Sequence, residues 1–296
     1  MLELVSSHAC HGGEQRFYKH DSKAVCLPMR FSVYLPPQAL RSSAKLPALF
    51  YLAGLTCTEE TFPTKAGAQR FASEHGIILV APDTSPRGAG VAGESEAWDF
   101  GLGAGFYVDA TREPWAKHYR MYSYVRDELR ETVLAHFPVD GSRLGIFGHS
   151  MGGHGALVLA LRNPEIYRSV SAFAPISAPT LCPWGEKAFR GYLGDNVEAW
   201  KRYDATELIS NASKRFPGGI LIDQGLSDQF LAEQLHPDAL EAACKDSGQH
   251  LTLRRFADYD HGYYFISTFI GDHIAHHART LCLYETEGGP VPVKVM

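Results

Sequence analysis

The chain has no long apolar run. Its longest, Leu46 to Leu55, contains Pro47 and is too short to cross a bilayer. The opening stretch, Met1 to Ser7, has neither a basic leader nor an extended apolar core. It is not read as a secretory signal, and cytoplasmic residence is the expectation. Positive charge is also scarce: 28 Lys and Arg face 33 Asp and Glu, a net charge of -5. That balance disfavours nucleic acid or an anionic membrane as partner, since both select basic surfaces. It leaves room for a small acidic substrate held by a few local cations. The six cysteines (Cys10, Cys26, Cys57, Cys182, Cys244, Cys282) include no C-x-x-C pair and no tight cluster. In a reducing compartment they are expected as free thiols, with no disulfide framework and no metal site. Internal repeats, low-complexity blocks and linkers are missing too. The expectation is therefore one domain over residues 1–284, followed by a Gly- and Pro-rich, loosely held tail over 285–296.

What is present reads as strands alternating with helices. Glu14 to His20 and Met29 to Tyr34 are short, β-rich and bounded by polar residues or proline. Ala48 to Leu52, Ile77 to Ala81, Arg143 to Phe147, Arg168 to Ala174, Gly219 to Asp223 and Leu251 to Phe256 are apolar runs suited to buried strands. Helices are predicted over Lys65 to His75, Met121 to His136, Gly153 to Leu161, Pro183 to Leu193, Val197 to Tyr203, Pro237 to Gly248 and Tyr263 to Arg279. The segment from Pro82 to Trp115 is long, aperiodic and rich in Gly and aromatics, and loops of that length are usually functional. The pattern implies an α/β fold with a mostly parallel central sheet and helices on both faces.

The chain is organised around Gly148-His149-Ser150-Met151-Gly152. A G-x-S-x-G pentapeptide between a buried strand and a helix is a nucleophile elbow. The glycines are needed where strand, turn and helix crowd, and the helix N-terminus behind the serine favours a developing oxyanion. A serine hydroxyl is a weak nucleophile, so it needs a base, and the base needs an orienting acid. On this fold the acid and then the histidine follow the serine, on loops after strands. His261, after the last strand, is the best-placed base. His149 is expected to point to the opposite face, and His154 lies too close along the elbow helix. His273, His276 and His277 share a helix face and are read as packing or solvated, not as metal ligands. Asp228 follows the Gly219 to Asp223 strand and is the candidate acid, although the residues alone leave a plain turn aspartate open. Two amides are needed for the oxyanion, those of Met151 and, from the loop after the Ala48 to Leu52 strand, Leu55.

Several further segments stand out: Leu55-Thr56-Cys57-Thr58-Glu59, Ala81 to Gly88, Trp98-Asp99-Phe100, Gly105 to Ala110, Cys182-Pro183-Trp184-Gly185, Ile222-Asp223-Gln224-Gly225 with Asp228, and Asp258-Tyr259-Asp260-His261 with Tyr263-Tyr264-Phe265. With the elbow, they make the chain resemble the S-formylglutathione hydrolase (esterase D) family, from the N-terminal strands to about Leu283. The resemblance implies an α/β-hydrolase fold. It puts Ser150, Asp228 and His261 in a catalytic triad, and the Leu55 and Met151 amides in an oxyanion hole. It further implies hydrolysis of S-formylglutathione to formate and glutathione in formaldehyde detoxification, no cofactor, and in many members a homodimer. The sequence departs from the family at Ser177-Ala178, where an Asn-containing stretch is usual, and in a longer tail.

Cys57, Trp98, Phe100 and Trp184, with Tyr107, are candidate walls of the substrate pocket, against the competing reading of core packing. Alkylation or oxidation of Cys57 is expected to block the site without the thiol taking part in chemistry. The competing functions are a broad short-chain carboxylesterase or acyltransferase of the same fold, and a non-catalytic binding protein. The latter usually lacks one of the three catalytic positions, all of which are filled here.

Overall fold

A computed structural model describes residues 1–282, so the predicted tail over 285–296 lies outside the described residues. One nine-stranded sheet runs in the order β1-β2-β3-β5-β4-β6-β7-β8-β9. Its strands are β1 Leu2–Cys10, β2 Gly13–Asp21, β3 Pro28–Leu35, β4 Leu46–Leu52, β5 Ile78–Pro82, β6 Val139–His149, β7 Tyr167–Phe173, β8 Ile220–Gly225 and β9 Leu251–Phe256. The pairings from β1 to β3, and of β3 with β5, are antiparallel; all others are parallel.

Alternation along β4 shows how the sheet is sealed. Ala48, Phe50 and Leu52 point into one apolar core, and Leu49, Tyr51 and Ala53 into the other. The elbow helix, Met151–Arg162, supplies Ala156 to Ala160 to the first core. The helices Ala68–His75 and Tyr263–Leu281 fill the second. A strand buried on both faces must be apolar throughout, which is why β4, β5 and the end of β6 read as continuous runs.

Three sequence expectations change. β1 is an additional strand; as an edge strand it is mostly exposed and carries no apolar alternation. The predicted Lys65 to His75 helix is two helices, Thr61–Lys65 and Ala68–His75, broken at Gly67 with φ 67°. The predicted Met121 to His136 helix is helical throughout, but Tyr124–Leu129 is π-wound. Among the described residues no helix is long and apolar enough to cross a membrane.

The topology brings the carboxyl ends of β4 and β6 together. They are parallel neighbours, with Leu52 against Gly148. The chain leaves β4 for β5 on one side and returns as β6 on the other, so a crevice opens between their following loops. β8 and β9 lie further along the same edge, with Gly225 against Phe256.

Candidate active site

The elbow is as tight as its glycines require. Ser150 holds φ 57° and ψ -120°, a strained conformation for a residue with a side chain. A Cβ on Gly148 would stand 2.3 Å from the Gly152 carbonyl oxygen, and one on Gly152 would stand 1.9 Å from that of Leu52. The turn is tied down by the Ser150 N–H donating to Phe173 O at 3.0 Å and by the His154 N–H donating to Ser150 O at 3.0 Å.

The loop after β4 is held from several sides. The Tyr107 hydroxyl donates to Ala53 O at 3.0 Å. Thr56, at φ 67°, donates its N–H to Gly103 O at 2.9 Å. Thr84 Oγ1 donates to Cys57 O at 2.6 Å. Much of the long Pro82 to Trp115 segment therefore serves as a buttress. Among the described residues the Leu55 and Met151 N–H groups donate to no protein acceptor, so both remain available.

The loops after β8 and β9 cross closely. A Cβ on Gly225 would lie 2.3 Å from Tyr259 O, and the Ser227 N–H donates to that same oxygen at 3.0 Å. This crossing brings Asp228 Oδ2 to 2.5 Å from His261 Nδ1. The Asp228 side chain is fully buried. Its Oδ1 accepts from the Phe230 N–H at 2.8 Å, and its Oδ2 accepts from Gln224 Nε2 at 3.3 Å. An Nδ1–H held by a carboxylate leaves the other ring nitrogen of His261 as the acceptor. Ser150 and His261 line one cleft of about 130 Å³ with Gly54, Leu55, Cys57, Trp98, His149, Trp184, Phe230 and Tyr263. The Ser150 hydroxyl makes no hydrogen bond among the described residues; such contacts often close only when substrate arrives.

Cys57, Trp98 and Trp184 thus lie where the sequence suggested, and burial pushes the Cys57 thiol up. Phe100 does not. It stacks on Tyr192 at 4.5 Å and meets Trp115 edge-on at 4.8 Å, inside an aromatic cluster behind the cleft. Tyr107 is likewise fully buried. Ser177 and Ala178 are fully buried and do not line the cleft.

His149 overturns its expected direction. Its ring lies 4.4 Å from that of His261 and 6.1 Å from that of Tyr263. Strand alternation fails there because the next residue turns into the strained elbow. Burial, then the neighbouring His261, hold His149 well below the usual histidine range, so it stays neutral. His149, Gln224 and Phe230 are site residues that sequence reasoning missed. The only signal for them was adjacency to Ser150 and Asp228.

The predicted packing role of the last helix's histidines agrees with the structure. His277 Nδ1 and Nε2 lie 2.6 and 2.8 Å from Ser169 Oγ and Ser171 Oγ, and His276 Nε2 lies 3.1 Å from Val170 O. No group of metal-ligating side chains is assembled among the described residues.

Fold and site together define an esterase of α/β-hydrolase architecture. The Esterase family model matches residues 22–276. The S-formylglutathione hydrolases of Rattus norvegicus and Bos taurus are 56% and 54% identical over 284 residues, covering 95% of this chain and 99% of each relative. A solved S-formylglutathione hydrolase structure from Agrobacterium tumefaciens superposes with TM-score 0.91 at 49% identity, covering 94% of this chain and 99% of that one. The chain belongs to the S-formylglutathione hydrolase family.

Proposed function

We propose that the chain hydrolyses the thioester S-formylglutathione to formate and glutathione, using Ser150, His261 and Asp228 as a catalytic triad. The observation that carries the mechanism is the 2.5 Å Asp228–His261 contact in the same cleft as the strained Ser150. The names of the relatives at 54 to 56% identity support the substrate.

His261 takes the Ser150 proton as Oγ attacks the formyl carbon. The Leu55 and Met151 N–H groups stabilise the tetrahedral oxyanion. The C–S bond breaks and the sulfur leaves with the proton from His261, which returns the imidazole to its neutral form. Water, deprotonated by His261, attacks the formyl-enzyme; the Ser150 ester bond breaks as Oγ takes that proton from His261, and formate leaves. Asp228 fixes the imidazole tautomer and stabilises its cation. The neutral His149 ring beside it adds no competing charge. A cleft of about 130 Å³ favours small acyl groups, so acetyl esters are expected to react faster than butyryl and longer ones. The resemblance also supports a cytoplasmic, cofactor-free role in formaldehyde detoxification and a homodimer.

The test is steady-state hydrolysis of S-formylglutathione beside p-nitrophenyl acetate, for the wild type and Ser150→Ala. The expected result is a large kcat/KM preference for the thioester that the variant loses. Comparable rates on both substrates would move the function to a broad carboxylesterase.

A further inference from the structure

The following rests on the substrate reading above. Glutathione ends in a glycine carboxylate on one side and in the α-amino acid zwitterion of its γ-glutamyl residue on the other. Neither end can be desolvated without a partner of opposite charge. In a chain of net charge -5, those partners have to be local.

Three cations stand beside the cleft lining, two next to a lining residue and one through a chain neighbour of the lining. Arg87 donates to Cys57 O at 3.2 Å, but two hydrogen bonds of 2.8 Å fix its guanidinium on Asp83, so its fork is engaged. Lys65 is different. It is exposed, it pairs with no carboxylate among the described residues, and its Nζ stands 5.8 Å from the centre of the Tyr263 ring that lines the cleft. Lys187 lies on the helix Pro183–Leu193, one turn beyond Trp184, and forms an ion pair with Asp99, the neighbour of Trp98. Trp98 and Trp184 meet edge to face at 5.5 Å, and both line the cleft. Trp98 is 55% exposed, an unusual state for tryptophan and one suited to a ligand's peptide planes.

The cleft is therefore flanked by a lone ammonium on the Tyr263 side and by a lysine–aspartate pair on the tryptophan side. A lone ammonium matches a single carboxylate. A lysine beside an aspartate matches an α-amino acid group, carboxylate to cation and ammonium to anion. We propose that Lys65 binds the glycine carboxylate of the glutathione moiety and that Lys187 with Asp99 binds its γ-glutamyl zwitterion. These three residues then set substrate specificity without touching the reacting atoms.

The experiment compares S-formylglutathione with its glycinamide analogue, which lacks only the terminal carboxylate, for the wild type, Lys65→Ala and Lys187→Ala. Each wild-type contact of this kind is worth about 1 kcal/mol, roughly fivefold in KM. Lys65→Ala should raise KM on S-formylglutathione by about that factor, with kcat little changed, and shift KM on the glycinamide far less. Lys187→Ala should raise KM on both thioesters. Higher ionic strength should weaken wild-type binding of the intact thioester more than of the glycinamide. Equal effects of Lys65→Ala on the two thioesters, or unchanged KM in both variants, would overturn the assignment. A wild type that prefers S-formylglutathione over p-nitrophenyl acetate while both lysine variants behave normally refutes the lysines alone. A wild type with no such preference refutes the substrate and the lysines together.

Discussion

His261 and His277 stand at opposite ends of one helix region and have opposite chemistry. His261 precedes the helix Tyr263–Leu281, has one ring nitrogen on Asp228, and has its side chain 15% exposed to the cleft. His277 lies in the last turns of that helix, fully buried, with both nitrogens engaged by serine hydroxyls of β7. Beside it, His273 Nδ1 lies 2.8 Å from Ser171 Oγ, while Nε2 lies 3.3 Å from Asp223 Oδ2. The i, i+3 and i+4 spacing of the helix cluster is compatible with metal ligation, yet without a carboxylate-bearing motif it reads as packing, whereas His261 is placed by its loop after the last strand. What separates them is the uncommitted nitrogen. A histidine acts on a ligand only if its fold leaves one nitrogen facing a space that a ligand can enter.

The comparison breaks if the two sites respond alike to substitution. His261→Ala should cut turnover on S-formylglutathione by about ten-thousandfold or more, while leaving the urea midpoint nearly unchanged. Asp228→Asn should lower kcat by about ten-thousandfold as well, because an amide no longer holds the tautomer that lets Nε2 accept a proton. His277→Ala should do the reverse. It leaves Ser169 and Ser171 without partners and opens a cavity, costing roughly 3 kcal/mol in urea unfolding while the folded fraction keeps its kcat.

Acid sharpens the same contrast. Burial pushes His154 down to about 4 and holds His277 well below its usual value, so both are neutral in the fold and would ionise in the unfolded chain. A depressed histidine contributes full stability above its unfolded pKa of about 6.5, and loses it as the pH falls toward the folded value. Stability measured by urea unfolding should therefore decline from pH 6.5 to 4, with His154 alone accounting for roughly 3 kcal/mol at pH 4. A flat profile across that window would contradict the neutral burial of these rings. Among the residues around the triad, the smallest effect is expected at Gln224. Gln224→Leu removes one donor to Asp228 and should lower kcat about tenfold, with KM unchanged.

The parts of this site that were legible in the sequence are those where sterics leave little choice. Gly148 and Gly152 had to be glycine, so the elbow could be read directly, and the strands buried on both faces could be read as apolar runs. The loops after β8 and β9 were placed by their position after strands, which singled out His261; for Asp228 position alone left a plain turn aspartate open, and the family resemblance pointed to the acid. What was hidden depends on three-dimensional neighbours. Phe100 sits in a Gly-rich loop without periodicity, so nothing along the chain says that it faces Tyr192 and Trp115 and not the cleft. The direction of His149 follows strand alternation only if the strand continues, and Ser150 at φ 57° ends it. The ion pair of Lys187 with Asp99 joins a helix to a distant loop and leaves no local signature.

The most direct test of the central claim is labelling with a serine-directed phosphonate, followed by peptide mapping and rate measurement in the wild type and His261→Ala. One stoichiometric adduct is expected, on Ser150, forming at least about a thousandfold more slowly in the variant. An adduct on another residue, or unslowed labelling of Ser150 without His261, would contradict that claim.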